Sequence, residues 1–74
     1  MNATKEDIKK IKAGGFKPFL CEDANKMNSV ASILSQMKRT DMPDGVVDYE
    51  HKKDFDSNII IVHALREGES KILN

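Results

Sequence analysis

The stretch "NIIIVHAL", residues 58 to 65, constrains this chain more than any other. Ile59, Ile60, Ile61 and Val62 are β-branched residues in unbroken succession, stiff at χ1 and suited to a pleated strand. Side chains alternate along a strand, so Ile59, Ile61 and Leu65 share one face and Ile60, Val62 and Ala64 the other. A chain of 74 residues builds one small core, and a two-layer domain covers one face of its sheet. A strand apolar on both faces therefore leaves a second apolar surface to be covered.

The elements around this strand follow from punctuation and period. "TKEDIKKIKAGG" predicts a short first helix over 5–13, with Thr4 as cap, Asp7 at the capping-box position, Gly14 as stop, and only Ile8 and Ile11 as an apolar edge. "FKPFLC" at 16–21 predicts a strand that Pro18, lacking an N–H, places at a sheet edge. Met27, Val30, Ile33, Leu34 and Met37 recur at helical spacing and predict the main helix over about 25–40, ended by Pro43 and Gly45. In "VVDYEHKKDF" the residues Val47, Tyr49, His51 and Phe55 alternate with Asp48, Glu50, Lys52 and Asp54, the pattern of a half-buried strand with a solvated face. The polar turn "DSN" then joins it to the last strand as an antiparallel hairpin.

The predicted fold is α+β, one main helix packed on a three-stranded sheet that closes with this hairpin, plus the short first helix. It forms a single domain over 1–74, with an ordered core at about 16–66 and a flexible tail at 67–74. The hairpin register decides which face of the last strand meets the helix. A three-residue loop ending with Asn58 in the left-handed conformation is the expected form, and it places Phe55 opposite Ile59, Tyr49 opposite Leu65 and His51 opposite His63. Ile60, Val62 and Ala64 then face away from the helix. A two-residue loop is the alternative, and it sets Ile60 and Val62 on the Tyr49 face. The uncovered face calls for the first helix, a second copy of the chain or a different protein, which makes Ile60, Val62 and Ala64 the expected protein interface, or Ile59 and Ile61 under the alternative register.

Chemistry-bearing residues are sparse. Cys21 is the only cysteine, which excludes an internal disulfide and points to a reducing, cytoplasmic setting. It reads as a small buried hydrophobe, because no nucleophile elbow or oxyanion nest accompanies it. His51 and His63 meet across the expected hairpin but bring no third ligand, so no metal, cofactor, small-molecule substrate or catalytic residue is expected. No apolar run reaches the roughly 20 residues of a membrane helix, and no membrane partner is expected. The net charge is zero, yet residues 1–40 hold eight Lys or Arg against four acids, and residues 41–74 hold four against eight. Lys9, Lys10 and Lys12 in the basic half carry the alternative reading, a nucleic-acid contact.

The layout of "NSVASILSQMKR" followed by "VVDYEHKKDFDSNIIIVHAL" resembles small βαββ accessory proteins encoded by phages and other mobile elements, over roughly residues 16–65. The resemblance implies a non-catalytic protein that works by binding, with the basic ending of the last strand reduced here to Arg66. The expected protein is an accessory factor that binds a macromolecular partner, foremost another protein or a second copy.

Overall fold

The computed structural model describes residues 4–73; residues 1–3 and Asn74, the end of the expected tail, lie outside the described residues. The main helix, α2 (Ala24–Thr40), begins where the Asp23 carboxylate accepts the Lys26 N–H at 3.0 Å. It buries Met27, Val30, Leu34 and Met37, with Ile33 half-buried at the margin of the same stripe. Lys38 and Arg39 lie in its last turn, where cations suit the negative end of the helix dipole. The preceding α1 (Lys5–Lys9) carries the expected capping box, Thr4 N–H donating to Asp7 at 2.9 Å and Thr4 Oγ1 accepting from Asp7 N–H. It is shorter than the expected 5–13, because the chain leaves the helix at Lys10 and turns through Ala13 and Gly14. Ile8 and Ile11 are buried in the core beside α2, so α1 closes the helix side of the domain and leaves the reverse face of the sheet open.

The three strands are β1 (Phe16–Leu20), β2 (Val46–Asp54) and β3 (Ile59–Arg66), all antiparallel in the order β1-β3-β2. The fold is thus the small α+β domain that the pattern predicts, with the "IIIV" strand at its centre. β1 is an edge strand. Cys21 N–H donates to Asn58 C=O and Ala64 N–H to Gly15 C=O, so by antiparallel alternation the position of Pro18 is one whose N–H would point away from β3. A proline there costs the sheet no bond and removes a donor from the open edge.

The register differs from expectation. Asp54 pairs with Ile59, so the loop has four residues, Phe55 to Asn58, with Asn58 left-handed at φ 56°. Tyr49 stands opposite Ala64, His51 opposite Val62 and Glu50 opposite His63. The three-residue register is overturned, and β3 turns Ile60, Val62 and Ala64 towards the Tyr49 side, as the two-residue alternative would also have done. Two features favour this arrangement. Ala64 leaves room for the Tyr49 ring across the strands, and His63 leaves the helix side for a carboxylate partner. A β-bulge between Val46 and Asp48 also shifts the alternation at the start of β2, burying Val46 and exposing Val47.

Candidate interaction surface

The residues expected to form an interface are the best-buried part of the molecule. Ile60, Val62 and Ala64 are fully enclosed in the core with Met27, Val30, Leu34 and Tyr49, so they offer no surface to a partner. The reverse face carries instead the other parity: Phe16, Pro18 and Leu20 from β1, Ile59 and Ile61 from β3, and Lys52 and Asp54 from β2. Leu20, at the turn end, is 70% exposed and Phe55, in the turn, 60%, while Phe16, at the other end opposite His63, is 48% exposed. These three residues make the face apolar and open to water. An open depression of about 490 Å³ beside the turn is lined by Lys52, Lys53, Asp54, Phe55, Asp56 and Ile61.

The other end of the reverse face is closed. After β3 the chain reverses through Arg66–Glu69, where Glu69 N–H donates to Arg66 C=O at 3.1 Å and Gly68 takes φ 85°. The segment 67–73, expected as a tail, then crosses the sheet. Ile72 N–H and Leu73 N–H both donate to the Glu50 carboxylate, at 2.9 and 2.8 Å, and Lys71 Nζ lies 3.4 Å from Asp48. Glu50 also meets His63 Nδ1 at 2.6 Å. Burial alone would raise the Glu50 pKa, but the donors from Ile72, His63 and Leu73 outweigh it and hold the carboxyl below its usual range. His63 is fully buried, with Phe16 stacked on its ring at 4.0 Å and 10°. Alternation had placed Glu50 on a solvated face, and no short motif links it to Glu69 across the intervening strand, so this cluster was not visible in the sequence.

The two histidines do not meet. His51 faces α2, where burial and then the charges of Lys53 and Lys38 lower its pKa, while His63 points to the reverse face. Among the described residues no group of three or more His, Cys, Asp or Glu is placed to hold a metal. Cys21 is buried, and burial followed by the charge of Asp23 pushes its thiol up, away from the thiolate that nucleophilic chemistry uses. The basic cluster is divided: Lys9 joins Lys5 on the Asp41 carboxylate, at 2.8 and 2.7 Å, while Lys10 and Lys12 remain exposed. Among the described residues no helix is long and apolar enough to cross a membrane.

The arrangement defines a small α+β domain with one sheet face packed by its own helix and the other largely open. Comparison with family models, with curated proteins and with solved structures returned no match.

Proposed function

We propose that this protein is a non-catalytic accessory module that binds another protein through the open reverse face of its sheet. The observation that carries the reading is the exposure of Phe16, Leu20 and Phe55 on one side of a domain whose core is complete without them. Area selects the kind of partner. These three side chains expose roughly 100 Å² each, together less than the about 800 Å² per partner that a stable dimer buries. It matches one element of a larger protein, an amphipathic helix or extended segment whose apolar stripe is flanked by an acid and a base to meet Lys52 and Asp54. A nucleic-acid partner is the weaker reading, since Lys9 is already engaged by Asp41.

The test is selection from a displayed peptide library, with the Leu20→Asp/Phe55→Asp double variant as counter-selection. The expected winners are amphipathic peptides that shift the NMR signals of Phe16, Leu20, Ile59 and Ile61, while light scattering gives a monomer at all concentrations. The proposal is overturned if no peptide is enriched over the double variant, or if light scattering gives a stable dimer. It is likewise overturned if the chain binds DNA or RNA with a steep salt dependence that Lys10→Glu and Lys12→Glu abolish.

A further inference from the structure

We propose that residues 67–73 form a strap whose closure over the sheet is governed by one proton on the cluster Glu50–His63–Glu69. The geometry sets a stoichiometric problem for the imidazole. Its Nδ1 is 2.6 Å from Glu50 Oε2, and its Nε2 is 3.3 Å from Glu69 Oε2 without the alignment of a full hydrogen bond. A neutral imidazole has one N–H and one lone pair, so with both carboxylates ionised it presents the lone pair to one of them. The imidazolium presents an N–H to each. Because the ring is fully buried, no water relieves the lone-pair contact of the neutral form.

The short Nδ1 contact keeps the first proton towards Glu50, and Glu69 therefore faces the position that gains or loses a proton. Glu69 belongs to the strap: its Oε1 accepts the Arg66 N–H at 3.1 Å, so the same side chain spans the reversing turn and the imidazole. Loss of the proton turns the Glu69 contact repulsive and loosens the turn that aims Ile72 and Leu73 at Glu50. The Phe16 ring stacked on His63 adds a cation–π contact only in the protonated form.

The other groups around His63 do not explain such a response. On this face β2 contributes Glu50, Asp48 and Lys52, and the strap contributes Glu69 and Lys71; β1 contributes only the uncharged Phe16, while Arg66 lies beside Gly14. Asp48 is bridged at 3.4 Å both by Lys71 and by Lys38 of α2, so its charge is balanced without His63. Opening would uncover Leu65, His63 and Glu50 next to Phe16 and Ile61, enlarging the apolar face.

The experiment follows the full chain by NMR from about pH 5 to about pH 9, reading the imidazole nitrogens of His63 and the methyl groups of Ile72 and Leu73, with Val62 as a core control. The expected result is both His63 nitrogens protonated at the acid end, and a Leu73 transition that shares the His63 midpoint while Val62 stays still. In Glu69→Gln the side-chain amide can donate to the imidazole lone pair, so the Leu73 transition disappears and the strap stays closed. Leu73 signals that do not change with pH in the native chain overturn the proposal, as does a Leu73 midpoint distinct from that of His63. An undiminished transition in Glu69→Gln does the same. The native titration decides the matter even if the variant fails to fold.

Discussion

The hydroxyl of Tyr49 is buried without a hydrogen-bond partner among the described residues, beneath α2 and opposite Ala64. Burial, and then the negative charge of Asp41, raise its pKa, so it is a neutral phenol whose O–H has lost water and found nothing in return. Tyr49→Phe keeps the ring and removes the unsatisfied group; the expected outcome is a gain of about 1 kcal/mol, read as a higher urea midpoint at unchanged slope. The two faces of β3 and its neighbour make a sharper contrast. Ile60→Ala opens a cavity in the closed core and should cost about 2–5 kcal/mol, enough to unfold a large fraction of a domain this small. Leu20→Ala removes a side chain already in water and should change stability by no more than about 0.5 kcal/mol. Equal losses for the two variants, measured by urea unfolding, would contradict the register of β3.

At the level of elements, α1 is held by two isoleucines and one ionic clamp. Lys5 and Lys9 both reach Asp41, the residue that ends α2, and those two bonds lower the Asp41 carboxyl from 3.8 to about 2. A depressed folded-state pKa contributes stability above the unfolded value, and that contribution is lost as pH falls through the folded one. The clamp should therefore weaken between 3.8 and about 2, and Asp7, lowered from 3.8 by its backbone and side-chain bonds to Thr4, likewise releases the α1 cap only as the solution turns acid. The expected observation is an acid-induced shift of the Ile8 methyl signal ahead of global unfolding. Asp41→Asn should remove most of that pH dependence and leave α1 partly detached at neutral pH.

For the whole molecule, the single thiol is a reporter of global opening. Cys21 sits at the end of β1, buried in the core, with its N–H bonded to Asn58 at 2.7 Å, so a reagent reaches it only when the sheet and α2 separate. Labelling of native protein by a thiol reagent should be at least about a hundredfold slower than in urea, and in the pre-transition range it should accelerate in step with the unfolding equilibrium. Labelling at the unfolded rate would mean that the β1 end opens locally.

What the sequence determined by itself is local. The period of Met27, Val30, Leu34 and Met37 makes α2, Pro43 and Gly45 end the helical segment, and Pro18 sends β1 to an edge. Each is a matter of neighbouring residues and backbone chemistry. The α+β class follows from the order of those elements. The face of β3 is another matter, because Asn58 serves as the left-handed residue of a three- or a four-residue loop equally well and both faces of the strand are apolar. Only tertiary packing separates the two. The observed register puts Ala64 against the bulk of Tyr49 and brings His63 to Glu50, whereas the other buries His63 beside His51 and away from any acid. The partners of that buried pair, the N–H groups of Ile72 and Leu73, come from a segment that reads as a loose tail, since main-chain donors have no sequence signature.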